Sequence, residues 1–410
     1  MKVLYITGAC LFRNTSANMS HNAFVQGLLE NDCDVDILMA SSSWGEEDQN
    51  MPTWHKARYY SFPSLSLPDK LRMKMRNYAE TQSDSISKGT ISRKASAAAS
   101  LKSSLRSFAK KGFYYLFPSD PVYPLEKKWL KTASGFRGDQ HYDVVVSNSS
   151  PAASHRLVLD LIEKKRIQSD RWIQIWEDPW YHDLYGEYSE LIDREEHSLL
   201  QAASEIVYVS PLTLMYQKRY YPDCAEKMTC VPLPALRLDS SKSKTTDRRA
   251  PFFGYFGDYY SQARDLKPFY DALVASEYCG AIVGDSDLRL PETDRIRVSR
   301  RVTLDKLQPI QDQTDILVHL SNLRGGQIPG KIYHYSVTDK PILFILDGTE
   351  EEKRTLYDFF APFGRYYFCE NTADEILKSL HDLAGGNAIY TPVQSFLPAE
   401  VVKKMLHGKG

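Results

Sequence analysis

Cysteine is sparse in this chain of 410 residues: six, at positions 10, 33, 224, 230, 279 and 369, with no Cys-x-x-Cys pair. Only Cys224 and Cys230 lie near one another in sequence, and reduced structural thiols in a cytosolic protein are the expectation. A Gly-x-Gly-x-x-Gly fingerprint is missing, which disfavours a tightly bound dinucleotide and with it a dehydrogenase. There is no Asp-x-Asp cluster suited to Mg²⁺ and no sign of a Ser/His/Asp hydrolase. No apolar run approaches the length that crosses a bilayer, and the one after Met1 is too short for a signal peptide. Neither sign of charge dominates. With 51 basic and 52 acidic residues the net charge is −1, against a generally basic nucleic-acid binder.

What is present is a soluble globular composition, 42% hydrophobic and 25% charged, in a chain too long for one ordinary core. Two domains are expected. Val3 to Thr7 is a compact apolar strand; a polar loop follows from Gly8 to Ser20. His21 to Glu30 then carries Phe24, Leu28 and Leu29 at helical spacing, and Val35 to Met39 is a second strand. Such a β-loop-α-β opening begins a Rossmann-like domain, whose ligands sit at the carboxyl ends of its strands. Asn14, Ser16, Asn18 and His21 therefore read as candidates to hydrogen-bond a ligand there, with solvated loop polarity as the alternative. Further strands are expected in His141–Ser147, Arg171–Trp176 and Ile206–Ser210. Residues 238–250 are polar and without apolar rhythm, a linker. Phe252 to Phe256 restarts the pattern, continued by strands at Ala281–Val283, Thr314–Leu320 and Ile342–Ile345 and a terminal amphipathic helix at Leu397–Leu406.

The stretch from Gly325 to Ile345 is the densest in signals: Gly-Gly-Gln-Ile-Pro-Gly-Lys-Ile-Tyr-His-Tyr, a polar gap, then Lys-Pro-Ile-Leu-Phe-Ile. It reads as flexible loop, short helix and buried strand. Gly325, Gly326 and Gly330 let backbone approach a ligand, and Pro329 suits a first helical turn. Free N–H groups at the helix start suit an anion such as phosphate. Lys331 and His334 share one helix face. A ligand-free loop–helix–strand unit would show the same pattern.

This segment resembles the donor-site segment of GT-B glycosyltransferases, particularly family 4-like enzymes that build bacterial surface polysaccharides. Pro329, Gly330, Lys331, Tyr335, Lys340 and Pro341 match. His334 stands where the family usually has a Glu and Asp339 where a Gly is common, so the paired-Glu signature of many retaining members is not intact. The likeness extends over most of residues 113–215: Leu116-Phe-Pro-Ser-Asp-Pro, Asn148-Ser-Ser-Pro-Ala-Ala-Ser-His155, Glu177-Asp-Pro-Trp180 and a Val-Ser-Pro turn follow in the family's order. In the second half it covers the Tyr-x-Gly turn at Gly257, Arg264 and the Val-Gly-Asp turn at Gly284. Some members place a basic residue just after that first Gly; here it is Asp258.

The resemblance implies an α/β fold of GT-B architecture, two Rossmann-like doubly wound domains facing a cleft. Residues 1–240 would bind acceptor, with a basic insertion at about 66–115; residues 251–395 would bind the nucleotide sugar; residues 396–410 would return to the first domain. Gly257, Arg264, Gly284, Gln327, Gly330, Lys331 and His334 are the donor-site candidates, with Lys331 and Arg264 neutralising the diphosphate without a metal. Asn18, His21 and Glu177 are acceptor-site candidates. Asp178, then His155, are the candidate catalytic bases; a helix-capping role for Asp178 and a core role for His155 are the alternatives. No cofactor is implied, the nucleotide sugar being a substrate. The acceptor would be a glycan or lipid-linked glycan, the location cytoplasmic or peripheral at the inner membrane face.

Between Lys70 and Lys111 eleven Lys or Arg face two acids, Glu80 and Asp84, and Leu101, Leu105 and Phe108 share a helical face. Such a segment fits an anionic membrane surface, or a solvated lid rich in Ser and Ala. Three functions are compatible with these features: an active glycosyltransferase, a degenerate GT-B protein that binds nucleotide sugar or glycan without turnover, and a sugar-nucleotide epimerase.

Overall fold

The computed structural model describes residues 1–42, 47–64, 120–138, 141–184, 186, 189–235, 250–386 and 390–408. The basic insertion and the polar linker fall outside the described residues. Within them lie two parallel sheets. The first has β1 (Lys2–Thr7), β2 (Asp34–Ala40), β3 (Arg58–Phe62), β4 (Tyr142–Asn148), β5 (Ser169–Trp176), β6 (Glu205–Tyr208) and β7 (Met228–Cys230), in the order β3-β2-β1-β4-β5-β6-β7. The second has β8 (Phe252–Phe256), β9 (Cys279–Val283), β10 (Ile296–Ser299), β11 (Ile316–Leu320), β12 (Ile342–Leu346) and β13 (Tyr366–Glu370), in the order β10-β9-β8-β11-β12-β13. β8, β11 and β12 are buried along their whole length, as strands sandwiched between helix layers must be.

In each sheet the strand order reverses beside the first strand, between β1 and β4 and between β8 and β11. Loops leaving neighbouring strands there part to opposite faces and leave a crevice at the carboxyl ends. Crossover helices are set by local capping: Thr15 caps α1 (Ser16–Glu30), Ser189 caps α4 (Glu190–Ala202), and Ser210 with Pro211 opens α5 (Pro211–Tyr220). Between α1 and α4 run α2 (Lys127–Ala133) and α3 (Ala153–Glu163). In the second domain come α6 (Lys267–Ala275), α7 (Leu304–Gln313), α8 (Lys331–Ser336), α9 (Glu350–Phe360) and α10 (Ala373–Ala384). A reciprocal Thr349–Glu352 capping box starts α9.

The last helix, α11 (Pro398–His407), lies on the first domain. It crosses α1 at Gly27, where a Cβ would come 2.3 Å from the Pro398 carbonyl oxygen. Asn31 donates to the Ala399 carbonyl at 2.9 Å and Arg171 to the Leu406 carbonyl at 3.0 Å. One apolar cluster runs through both domains, from Val3, Phe24 and Val144 to Tyr333, Phe344 and Phe396. None of the helices among the described residues is long and apolar enough to cross a membrane.

Candidate functional site

The second sheet's switch point is built on two turns packed backbone to backbone. A Cβ on Gly284 would sit 1.8 Å from the Gly257 carbonyl oxygen, so only glycine fits at 284. Gly257 faces Arg264, whose Nη1 lies 3.8 Å from where a Cβ would be. Arg264 hydrogen-bonds Tyr255 while its Nε is buried without a partner. After Gly257, Asp258 accepts the Asp285 N–H at 3.0 Å and pairs with Arg301. The acid found where a cation was sought thus recruits one from the loop after β10. Lys331 enters from the start of α8. Burial pushes its ammonium down to about 8, helped by Arg301 and Arg264 and opposed by Asp258. His334 lies beside it, pushed down to about 4 by burial and by Lys331, and is therefore neutral at pH 7.

Gly257, Arg264, Gly284, Lys331 and His334 are brought together here. The helix that carries Lys331 is only Lys331–Ser336, so the charge for an anion comes from side chains rather than from a helix dipole. Gly330 sits just before it, 3.2 Å by its virtual Cβ from Leu233 of the first domain. The Asp-x-Asp triplet at 285–287 is occupied by protein partners. Asp287 accepts the N–H and hydroxyl of Ser261 at 2.7 and 2.6 Å, and Asp285 faces Arg300 and Arg301.

Gln327 does not join this group. It reaches across the cleft, donating to Asp183 at 3.1 Å and bonding Asp178. Asp178 ends the turn after β5, open to the cleft yet flanked by protein; that surrounding and Asp183 push its carboxyl up to about 6, with Gln327 opposing. Its neighbour Glu177 is raised further by burial and by Asp178. Beside Asp178 opens a cavity of about 280 Å³, walled by Tyr123, Pro151, Trp176, Pro179 and Trp180 with Asp183 at its edge. The Asp178 and Asp183 carboxyls against flat rings form a surface that suits a polyol: C–H faces on aromatics, hydroxyls on carboxyl oxygens.

The other acceptor-side candidates are buried. His21 has no exposed surface; its Nδ1 meets the Tyr5 hydroxyl at 2.9 Å and burial lowers it to about 4. Asn148 donates to Tyr5 at 2.9 Å and to Glu177 at 3.4 Å, so His21 is linked to the cleft through that chain and through the Ser150 backbone. Asn18 donates to the Arg13 carbonyl at 2.8 Å and is 4% exposed. His155 has no exposed surface either: Nδ1 meets the Ser147 hydroxyl at 2.7 Å and the ring lies 4.2 Å from that of Trp176. It stands behind the cavity wall, out of reach of a substrate proton.

Sequence reading missed Arg301, Asp183, Tyr123 and Glu196. Arg301 is 43 positions from its partner Asp258, and a pairing at that distance leaves no local pattern. Trp180, by contrast, belonged to the recognised Glu-Asp-Pro-Trp turn.

No family model matches the chain, and no curated protein does. Solved structures do. HepE from Anabaena, described in complex with UDP, is 11% identical, with 100% of this chain and 94% of that one covered and a TM-score of 0.52. A glycosyltransferase from Rickettsia africae is 11% identical, covering 99% and 96%, with a TM-score of 0.54. The lipopolysaccharide outer core galactosyltransferase WaaB is 13% identical over 99% and 98%, with a TM-score of 0.52. The fold is GT-B. At these identities the likeness concerns the two-domain scaffold, and chemistry has to be argued from the residues.

Proposed function

We propose that this protein is a glycosyltransferase that moves a sugar from a nucleotide-sugar donor to a glycan or lipid-linked glycan acceptor. The observation that carries the reading is the convergence of Arg264, Arg301 and Lys331 on the Gly257–Gly284 turns, with the Arg264 Nε buried and unpartnered. Arg264 and Lys331, with Arg301 held beside them by its pairing to Asp258, put cationic side chains at the mouth of a switch point, where a leaving diphosphate needs them. Neutralisation by side chains makes the proposed transfer metal-independent. His334, neutral, serves a ribose or sugar hydroxyl.

Across the cleft Asp178 is the proposed base. A carboxyl near 6 is ionised at neutral pH and basic enough to take a hydroxyl proton in the transition state. Glu177, more weakly acidic, orients the acceptor. His155, Asn18 and His21 act as scaffold. An epimerase needs no second substrate, so the aromatic cavity beside Asp178 favours transfer over that alternative. The basic sequence between Lys70 and Lys111 suits an enzyme whose lipid-linked acceptor lies at an anionic membrane surface, in keeping with the surface-polysaccharide enzymes its motifs resemble.

Thermal denaturation with a panel of nucleoside diphosphates and their sugars tests the donor site. A ligand that binds only the folded chain stabilises it by about 2.7 kcal/mol at a hundredfold excess over Kd. One base should shift Tm, and Lys331→Ala should abolish the shift without lowering the Tm of the free protein. Absence of a shift with every nucleotide removes the donor assignment.

A further inference from the structure

A second cluster of reactive side chains lies away from the cleft, where the end of α4 meets the short 3₁₀ turn Pro222–Lys227 after α5. His197 Nε2 lies 3.1 and 2.9 Å from the two carboxylate oxygens of Asp223. Cys224 Sγ is 3.8 Å from the same carboxylate. One ligand atom from each of His197, Asp223 and Cys224 falls within 4.8 Å of the others. We propose that these three residues form a binding site for a zinc-class divalent transition-metal ion.

The donor set decides the class. Imidazole, carboxylate and thiolate together are zinc-type ligands, whereas Ca²⁺ and Mg²⁺ take oxygen alone. Three protein ligands leave a fourth tetrahedral position for water. Local lone pairs point the same way. The Gln201 amide nitrogen lies 3.3 Å from His197 Nε2 and 3.0 Å from Asp223 Oδ2. A metal ion would take the place of the proton between Nε2 and the Asp223 carboxylate, the imidazole shifting to its Nδ1–H tautomer, while the Gln201 amide stays on Asp223 as an outer partner. The parts are also held in place. The His197 ring stacks on Tyr221 with centroids 5.1 Å apart, and Cys224 is 1% exposed. Nearby Lys227 spends its ammonium on the Gln201 and Ala203 carbonyls at 2.6 and 3.0 Å, leaving the cluster's open side to solvent through Asp223. Binding transfers the Cys224 thiol proton to solvent as the metal–sulfur bond forms.

Cobalt(II) is the probe, titrated into the untagged full chain. The expected result is one equivalent bound with a thiolate-to-cobalt charge-transfer band, displaced by zinc. His197→Ala and Asp223→Asn should each weaken binding by at least about tenfold, the scale on which even outer partners of a metal ligand act. Cys224→Ser should eliminate the band. A titration without band or uptake overturns the proposal, as does a band unchanged in Cys224→Ser, which would locate the metal on another cysteine. Should Cys224→Ser fail to fold, His197→Ala decides alone: its side chain is partly exposed, and unchanged cobalt affinity in that variant overturns the site.

Discussion

A carboxyl group with no exposed surface, that of Glu196 on α4, accepts the backbone N–H of Tyr181 at 2.6 Å and of Trp180 at 3.4 Å. It thereby holds the turn that presents Asp178 and Trp180 to the cavity. Burial pushes it up to about 7, against the two N–H bonds that favour its ionised form. The sign follows from proton counts. Between its ordinary value of about 4.5 and 7 the folded chain keeps a proton that the unfolded chain has released, so this group's contribution falls as pH rises. Its slope is on the order of 1 kcal/mol per pH unit. Glu196→Gln keeps an acceptor for the turn and removes the titration. Urea melts of both proteins at pH 5 and pH 7.5 should show the variant gaining about 2 kcal/mol on the parent over that range. A difference that does not change with pH would mean that Glu196 is ionised in the folded protein.

At the scale of elements, α1 and α11 cross in close contact at Gly27. The Cβ of Gly27→Ala would meet the Pro398 carbonyl 2.3 Å away and Val402 Cγ2 at 2.5 Å. Backbone cannot yield there as a flexible side chain would, so α11 must lift. The expected cost is about 1–3 kcal/mol, the range for overpacking, with hydrogen exchange protection lost over Pro398–His407 before the rest of the chain. Uniform loss across both domains would place the helix in the global folding unit instead. The helix itself was legible in the sequence from its amphipathic spacing, and so were β1, β8 and β12 from their apolar runs. β3 was not: Arg-Tyr-Tyr-Ser-Phe is partly exposed at a sheet edge and lacks such a run. The polar face of α1 misled for a physical reason. Asn18 and His21, read as acceptor-site candidates, are buried beneath the cleft, where each finds a partner, and residue type alone reads such polarity as exposure. The Lys331 segment was readable because its glycines, lysine and buried strand are contiguous; Arg301 and Asp183 act from distant loops, visible only once the chain is folded.

At the scale of the whole molecule, the two domains are fastened at the loop before α8. The Gly326 carbonyl accepts the hydroxyls of Ser210 at 2.6 Å and Thr213 at 2.7 Å, and the Tyr333 hydroxyl donates to the Val209 carbonyl at 2.8 Å. Gln327 extends this fastening into the site by donating to Asp183 and bonding Asp178. The second domain thereby tunes the proposed base on the opposite wall. The Gln327 bond favours the carboxylate and pulls Asp178 down; the protein flanking it and Asp183 push it up; the result is about 6. Removing the amide in Gln327→Ala leaves only the upward influences, so Asp178 should then require a higher pH to ionise. If Asp178 is the base, kcat/KM rises through the acidic limb as Asp178 loses its proton, and the limb in Gln327→Ala moves to higher pH. Gln327→Glu adds a further negative charge and should move it at least as far. A residue that only buttressed the cleft would lower kcat/KM at every pH and leave the limb where it was, and that outcome would remove Asp178 from the base position.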